Sequence, residues 1–205
     1  MTNHYFSDAP TGPERRREVT VTLFGRSALV ETANGVFASQ GLDKATAVLL
    51  RSVPPPSGTP HILDLGCGWG AIGLGLALAV PGATIDAIDV NDRALALCRD
   101  NAARLGVDRR VRVLRPEQVP AEVTYDQIWS NPPIRIGKAA LHDLLTTWLS
   151  RLRPDGLAHL VVGKNLGADS LATWLTEQGF RCERAASSKG FRVLLVHPHP
   201  RVVRS

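Results

Sequence analysis

The feature that most constrains the fold is a regular alternation of short apolar segments with helical patterns from His61 onward. Strand–helix alternation with nearly continuous apolar strands is typical of a parallel sheet covered by helices on both faces. The predicted strands are residues 62–65, 83–88, 111–114, 127–129, 157–162 and 191–197, and the predicted helices are residues 71–80, 92–105, 139–152 and 170–178. We therefore predict a doubly wound α/β domain that binds ligands at the carboxyl ends of its strands.

The α/β pattern occupies residues 59–205, and residues 1–58 are predicted to form an extension in front of it. Period-two alternation from Val19 predicts a β-hairpin that turns near Gly25. Asp43 can cap a helix that continues to about Arg51, and a proline-rich linker follows. The extension is too small to be a second full domain.

Composition limits the classes of function. The 205 residues include 24 basic and 19 acidic side chains, a net charge of +5, which favours an anionic partner. The three cysteines have no C-x-x-C spacing and the six histidines have no ligand spacing, so no disulfide or metal site is expected. Because no leader and no long apolar run is present, we expect a cytoplasmic protein and no membrane partner.

A glycine-rich turn follows the first predicted strand of the sheet, in the stretch Asp64-Leu65-Gly66-Cys67-Gly68-Trp69-Gly70. Residues 68–73 also match G-x-G-x-x-G, so a dinucleotide site has to be considered. Asp64, however, would repel a pyrophosphate and attract an ammonium or sulfonium group. Asp89 ends the next strand, where a carboxylate can accept hydrogen bonds from both ribose hydroxyls. The implied ligand is a nucleoside with a positively charged appendage, and S-adenosylmethionine has those parts.

A second motif, Asn131-Pro132-Pro133-Ile134, follows the fourth predicted strand and should lie at the same edge as Asp64 and Asp89. An exocyclic amine becomes a methyl acceptor when two hydrogen-bond acceptors hold its hydrogens and its lone pair faces the methyl group. The side-chain oxygen of Asn131 and the carbonyl of Pro132 can serve, and the paired prolines keep that carbonyl out of a helix. No strong base is needed, because positioning and exclusion of water supply the rate enhancement.

Residues Leu63 to Gly68 resemble motif I of the Rossmann-like, class I S-adenosylmethionine-dependent methyltransferases, and Asp89-Val90-Asn91 resembles the acidic end of their second strand. The resemblance implies a mostly parallel sheet with a final antiparallel strand. It also implies a cofactor site in which Gly66, Cys67 and Gly68 pass under the methionine part. Asp64 would lie near its amine, Asp89 and Val90 at the ribose, and Glu117 at the adenine amino group.

The Asn-Pro-Pro-Ile motif resembles motif IV of methyltransferases that act on amino groups of nucleobases or of glutamine. The longer string from Ser130 to Lys138 resembles the small-subunit ribosomal RNA guanine-N2 methyltransferases, without their extra N-terminal domain. Ile134 stands where that family often has an aromatic residue. Four further strings resemble the same family: His4-Tyr5-Phe6-Ser7 with Pro10, Gly35-Val36-Phe37, Leu141-His142 and Gly190-Phe191-Arg192-Val193.

The resemblance assigns roles to residues outside the two motifs. Residues 1–18 form a polar arm, in which Tyr5 and Phe6 would fold over the cofactor as a lid, and residues 35–37 would belong to the same cover. The charge pattern, and not the resemblance, indicates a basic face for RNA phosphates formed by Arg15, Arg16 and Arg17 in that arm with Arg26, Arg135 and Lys138; the alternative for Arg15 to Arg17 is scattered solvated charge. Residues 1–58 are then a lid or RNA-facing extension, and residues 59–205 the S-adenosylmethionine-binding domain.

The predicted function is transfer of a methyl group from S-adenosylmethionine to the N2 amine of a guanine in RNA, with ribosomal RNA as the expected target. One alternative is a protein-glutamine methyltransferase, because the side-chain amide presents an NH2 group to the same corner. Another is a noncatalytic RNA-binding module that keeps the fold. Asp64, Asp89 and Asn131 together argue against the loss of catalysis.

Overall fold

The computed structural model describes residues 13–198. The string from His4 to Ser7 with Pro10, and with it the predicted lid of Tyr5 and Phe6, lies outside the described residues. Within residues 13–198, no helix has the length and apolar character to cross a membrane. In the same part of the chain, no group of three or more His, Cys, Asp or Glu side chains gathers to hold a metal ion.

The described residues form nine strands and five α-helices, with three short 3-10 turns. The strands are β1 (Arg16–Leu23), β2 (Arg26–Ala33), β3 (His61–Leu65), β4 (Thr84–Ile88), β5 (Val111–Leu114), β6 (Tyr125–Ser130), β7 (Leu152–Gly163), β8 (Arg181–Ser188) and β9 (Phe191–His197). The helices are α1 (Lys44–Ser52), α2 (Ala71–Ala79), α3 (Asp92–Arg104), α4 (Lys138–Leu149) and α5 (Ala168–Glu177).

Seven strands make one sheet in the order β5-β4-β3-β6-β7-β9-β8. Strands β3 to β7 are parallel, and β9 runs antiparallel to both of its neighbours. The prediction of a doubly wound, mostly parallel sheet with a final antiparallel strand is confirmed. The chain builds outward from β3 to β5 and then returns to β6 on the other side of β3. A cleft opens where the strand order reverses in this way, between the carboxyl ends of β3 and β6.

Two elements differ from the prediction. The helix predicted to reach residue 152 ends at Leu149, because Leu152 already pairs with Tyr125 as the first residue of β7. Strand β8 has no counterpart among the predicted strands. Its sequence, RCERAASS, is mostly exposed at the outer edge of the sheet, so it carries no alternating apolar pattern.

Strands β1 and β2 form the predicted hairpin, paired in register from Leu23 with Arg26 to Arg16 with Ala33. The strand therefore starts at Arg16, and the prediction that residues 1–18 are all arm is wrong for its last three residues. Backbone pairing with β2 continues beyond the alternating apolar pattern that predicts the strand. Leu23 and Phe24 pack on α2, where a Cβ on Gly75 would lie 3.2 Å from Leu23 Cβ.

The hairpin and α1 share one hydrophobic cluster with α2, α3 and the sheet, so the core is continuous across the boundary predicted at residue 58. Helix α1 begins where predicted. The carboxylate of Asp43 accepts hydrogen bonds from the backbone N–H groups of Ala45 at 2.8 Å and Thr46 at 3.1 Å. Such an N-cap satisfies two of the donors that a helix start leaves free.

A buried carboxylate ties the strands together at the edge opposite the cleft. Asp86 in β4 is fully buried and accepts two hydrogen bonds from Arg112, at 2.6 and 2.7 Å, and one from the Tyr125 hydroxyl at 3.0 Å. Burial alone would raise the pKa of Asp86, but His61 and Arg112 bond to the charged form and lower it. Because a buried charge is costly unless it is paired, this network fixes the amino ends of β3 to β6.

Candidate active site

A cavity of about 660 Å³ lies at the carboxyl edge of the parallel strands. One half is lined by residues that follow β3, β4 and β5: Gly66, Gly68, Asp89, Val90, Asn91, Ala94 and Pro116. The other half is lined by residues of α4, β7 and β9 and the turn after β7: Leu144, Trp148, Val161, Gly163, Leu166 and Phe191. The segment from Asn131 to Arg135 lies between the two halves in the chain and contributes to the lining. The volume is that of sites which hold ligands of nucleoside size or larger.

The glycine turn brings bare backbone to the cavity. Gly66 and Gly68 have φ values of +77° and +56°, a region that favours glycine. A Cβ on Gly66 would meet no atom within 4 Å. The turn is anchored because the carbonyl of Ile88, at the end of β4, accepts hydrogen bonds from the N–H groups of Gly66 and Cys67. This backbone is therefore open to the close approach of a ligand, and contact between these glycines and a cofactor stays a prediction.

Gly70 has a different role from that of Gly66 and Gly68. It is the N-cap of α2, with a φ of +99°, and a Cβ there would lie 2.6 Å from Leu74 Cδ1 and 2.8 Å from Cys98 Sγ. Glycine at position 70 is therefore favoured both by its positive φ and by the Leu74 and Cys98 side chains packed against it. Cys67 lines a small recess next to the main cavity, together with Phe37, Asn131 and others, rather than the main cavity itself.

Asp89 follows the last residue of β4, at the edge of the sheet where a carboxylate is predicted to bind the ribose of a nucleoside. It lines the cavity, and its two oxygens accept hydrogen bonds from the N–H groups of Gly68 and Asn91, both at 2.9 Å. Burial raises the pKa of Asp89, although hydrogen bonds from the backbone N–H groups of Asn91, Gly68 and Val90 act in the opposite direction. A carboxylate has about four lone-pair positions, so Asp89 can still accept a further donor. Val90 follows with its side chain 38% exposed, which offers an apolar surface on the cavity wall.

Asp64 differs from the prediction in its position. Its side chain is fully buried beneath the glycine turn and does not line the cavity. One oxygen accepts a hydrogen bond from the N–H of Gly73 at 2.7 Å, and the other has no partner among the described residues. Burial raises the pKa of Asp64 to about 7, and the charge of Asp89 adds to the effect. Direct contact between Asp64 and a cofactor amine stays a prediction.

Glu117 also lies apart from the cavity. It belongs to a 3-10 turn, is exposed, and has one carboxylate oxygen 3.7 Å from Nη1 of Arg115. The cavity wall at this point is its neighbour Pro116. The role of Glu117 at an adenine amino group stays a prediction, and the observed arrangement gives it no support.

The corner after β6 is held in a defined geometry. Ser130 donates a hydrogen bond to the carbonyl of Leu65 at 2.7 Å, which joins the ends of β6 and β3. Pro133 has φ −75° and ψ +74°, and the carbonyl of Pro132 accepts a hydrogen bond from the N–H of Ile134 at 2.8 Å. These values describe an inverse γ-turn centred on Pro133. The Pro132 carbonyl is thus fixed by one bond and keeps its second lone pair.

The side-chain amide of Asn131 is fixed from one side. Its Nδ2 donates to the Asp43 carboxylate at 2.9 Å and to the Thr46 hydroxyl at 3.1 Å. Among the described residues, none donates a hydrogen bond to its Oδ1. Asn131 therefore has its donors in use and its acceptor free, as a group that holds an amine requires. No sequence pattern indicates this contact, because Asp43 is 88 positions away and is recognisable only as a helix cap.

Of the predicted RNA-binding residues, the structure brings only Arg135 to the cavity wall, and Lys138 is exposed at the first position of α4 nearby. Arg16 lies on the hairpin, where Glu14, Glu31 and Asp100 pair with its guanidinium. Arg15 and Arg17 are exposed in the same segment.

Besides Trp148, two further aromatic residues line the cavity. Phe37 belongs to the segment predicted to cover the cofactor, and it lies on the cavity wall. Phe191 has no predicted role in the site, although it belongs to one of the family strings. Only the fold brings it there, because β9 pairs with β7 beside the cavity.

The residues present fit S-adenosylmethionine in the half of the cavity that follows β3 to β5. The open backbone at Gly66 and Gly68 suits the methionine part, the Asp89 carboxylate suits the ribose, and Val90 and Pro116 offer apolar surface to a base. The far half of the cavity stays free for the molecule that receives the methyl group. Asn131 also lines the cavity and comes between these two sets of residues in the chain.

Comparison with known proteins gives the family of this chain. Residues 27–195 match the family described as methyltransferase small domain. The Bacillus subtilis protein YbxB, described as uncharacterized, is 30% identical over 197 residues, which cover 95% of this chain and 98% of YbxB. Ribosomal RNA small subunit methyltransferase C of Shewanella halifaxensis is 33% identical over 136 residues, which cover 64% of this chain and 39% of that enzyme. This chain thus spans well under half of the longer enzyme.

Among solved structures, the T. thermophilus 16S rRNA N2 G1207 methyltransferase RsmC, in complex with AdoMet and guanosine, has a TM-score of 0.78 and 23% identity. The alignment covers 93% of this chain and 52% of that one. At this identity the likeness concerns the fold, and the predicted class I methyltransferase fold is confirmed. The match to the family model extends from the hairpin to β9 and includes both motifs. The chain belongs to the methyltransferase small domain family.

Proposed function

We propose that the protein transfers a methyl group from S-adenosylmethionine to the exocyclic N2 amine of a guanine in RNA of the small ribosomal subunit. The observation that carries the proposal is the Asn131 corner, where a free amide oxygen and a fixed carbonyl adjoin the cavity. S-adenosylmethionine, when bound, supplies an electrophilic methyl group on a sulfonium sulfur. The named activities of methyltransferase C and RsmC support the choice of ribosomal RNA and of guanine N2.

The protein's own groups act by positioning the target amine for the transfer. Asn131 Oδ1 and the Pro132 carbonyl accept the two hydrogens of the target amine, which directs its lone pair along the line of transfer. Fixed acceptors also favour the pyramidal nitrogen that carries positive charge as the bond forms. The proton that the nitrogen loses afterwards passes to water, so a strong base is not required. Apolar residues around the corner keep water out during the transfer.

The far half of the cavity suits a flat ring. Its walls are apolar, and Phe191 supplies an aromatic side chain on β9, at the position paired with Gly163 of β7. Aromatic stacking contributes about 1–3 kcal/mol per base in single-stranded recognition. Phe191 can therefore take the role that Ile134 cannot fill for lack of a ring. A glutamine side chain would gain little from this surface, which favours a nucleobase.

One cationic side chain lines the cavity, and three more lie close to its lining residues in the chain. Arg135 lines it, Lys138 starts α4, and Lys164 follows Gly163 at the end of β7. Lys189 belongs to the turn before Phe191, and the N–H of Lys164 donates to the carbonyl of neighbouring Gly190 at 2.8 Å. All four side chains are exposed, and none has a carboxylate partner among residues 13–198. We name these four residues the basic rim. Their role in the proposal is to bind the phosphates that flank the target nucleotide.

The experiment that tests the proposed function uses labelled S-adenosylmethionine. Small ribosomal subunits, deproteinised ribosomal RNA and total protein are offered in parallel, and the labelled nucleotide is identified by digestion and chromatography. We expect N2-methylguanosine, and Asn131→Ala should abolish its formation while the affinity for the cofactor changes little. Label in protein as methylglutamine, or in no fraction, would contradict the proposal.

A further inference from the structure

Asn131 can serve as an acceptor only if its amide group has one particular orientation. Its Nδ2 must face away from the target amine, so that Oδ1 faces toward it. If the amide group rotated by half a turn, Oδ1 and Nδ2 would exchange places. The N–H groups of Nδ2 would then face the N–H groups of the target amine, and no hydrogen bond could form. An isolated asparagine has no strong preference between these orientations, so the surroundings must decide.

Asp43 is the neighbour that determines the orientation of the Asn131 amide group. A carboxylate only accepts hydrogen bonds, so it can bond to Nδ2 and would repel Oδ1. The distance of 2.9 Å from Nδ2 to Asp43 Oδ2 is that of a strong bond to a charged acceptor. The Thr46 hydroxyl, 3.1 Å away, adds an acceptor for the same amide group.

Asp43 is itself held firmly. The same Oδ2 accepts the N–H groups of Ala45 and Thr46 as the N-cap of α1, and the helix packs against β7 and β9. The start of one helix thus sets the orientation of a side chain at the end of a strand. We propose that Asp43 is the positioning residue that makes Asn131 an acceptor. This inference rests on the proposed function, in which the substrate presents an amine to Asn131.

The decisive experiment is a double-mutant cycle with Asp43→Asn and Asn131→Asp. Asparagine is as good an N-cap as aspartate, so Asp43→Asn keeps the helix start. It also offers a donor, so Asn131 loses its preferred orientation. We expect kcat to fall roughly 10–100-fold, by analogy with the loss seen when a residue that orients a metal ligand is removed, with unchanged cofactor affinity and thermal stability.

Asn131→Asp alone puts two carboxylates in contact and should be nearly inactive at neutral pH. The double variant restores a donor–acceptor pair with the roles exchanged: the new amide at position 43 donates to one oxygen of the new carboxylate at position 131, and the other oxygen faces the cavity. We expect its kcat to exceed that of either single variant by about tenfold or more. Asp108→Asn, which removes an exposed carboxylate with the same change of charge, should behave as wild type.

The outcomes separate the two proposals. If Asn131→Ala is inactive but Asp43→Asn keeps full turnover, or if the double variant shows no recovery, Asp43 does not position Asn131 and the inference is wrong. If wild type methylates a glutamine amide and not RNA, the proposed function fails. The same cycle, run on that substrate, still decides the role of Asp43, because an amide nitrogen needs the same acceptor.

Discussion

Asp89 Oδ2 accepts a hydrogen bond from the backbone N–H of Gly68 at 2.9 Å, and this bond joins the end of β4 to the glycine turn after β3. One carboxylate thereby has two uses. It fixes the turn over which the cofactor would lie, and it keeps lone pairs for the ribose hydroxyls. Loss of Asp89 should therefore weaken cofactor binding through both effects.

We expect Asp89→Ala to weaken binding of S-adenosylmethionine at least about 10- to 150-fold, because the loss of even one hydrogen bond to a charged group costs about 1.5–3 kcal/mol. Isothermal titration calorimetry measures the change. Asp92→Ala is the matched control, since Asp92 is exposed in the next turn of chain and pairs with Arg115. If the Asp89 and Asp92 variants bind equally well, the assignment of Asp89 to the ribose is wrong.

A second prediction concerns Gly66. Substitution with alanine costs about 1–2 kcal/mol of stability from the positive φ alone, and the new methyl group would project into the cavity. Gly25, in the hairpin turn, has almost the same φ, +78° against +77°, and likewise has no atom within 4 Å of a Cβ. Gly25→Ala therefore reproduces the strain without the obstruction.

Thermal unfolding should show similar losses of stability for the two glycine variants. Only Gly66→Ala should lose cofactor affinity, by about tenfold or more, which corresponds to about 1.4 kcal/mol. Equal cofactor affinities in the two variants would mean that the cofactor does not approach the backbone at Gly66.

The fold was predictable because the buried strands leave a strong sequence signal. Strands β3 to β7 are covered on both faces, so they are apolar runs separated by glycines and aspartates. Strand β8 lies at the edge with most of its side chains in solvent and left no such signal. The start of β1 at Arg16 is missed for the same reason. Backbone pairing with β2 extends the strand to Arg16, and the side chains there show no apolar alternation.

The candidate site was predictable where it depends on chain-local motifs and not where it depends on tertiary contacts. The glycine turn, Asp89 and Asn131 follow consecutive strand ends, so a parallel sheet brings them together. Phe191 and Asp43 reach the site from distant parts of the chain. The role of Glu117 at the adenine is predicted only from its chemical type and its place in the chain; it is exposed in the 3-10 turn that begins at Pro116, and that role stays a prediction.

A third prediction concerns the basic rim. Arg135→Ala combined with Lys138→Ala should weaken RNA binding, and the slope of log K against log salt should fall by about 0.7 for each phosphate that the variant no longer neutralises. Arg16→Ala should have a smaller effect, because Glu31 and Asp100 already pair with that guanidinium. Fluorescence anisotropy with a ribosomal RNA fragment at several salt concentrations measures both. A larger effect of Arg16→Ala would shift the RNA surface to the hairpin.

The last prediction concerns pH and the buried Asp64. Its pKa in the folded protein is raised to about 7 by burial, whereas the ordinary value is 3.8. The folded state therefore binds the proton more tightly than the unfolded state does. The stability that this group contributes is complete below about pH 4 and is lost as pH rises to about 7. Asp64→Asn keeps an acceptor for the Gly73 N–H and removes the titration.

The quantity to follow is the free energy of unfolding of the Asp64→Asn variant minus that of wild type. This difference should grow by up to roughly 4 kcal/mol between about pH 4 and pH 7, at about 1.36 kcal/mol per pKa unit. Above about pH 7 it should stay constant. Urea denaturation at several pH values measures it. His159 titrates in the opposite sense, because burial lowers its pKa to about 4, but it does so in both proteins and cancels in the difference. A difference that does not change with pH would show that Asp64 ionises in the folded protein as easily as in the unfolded chain.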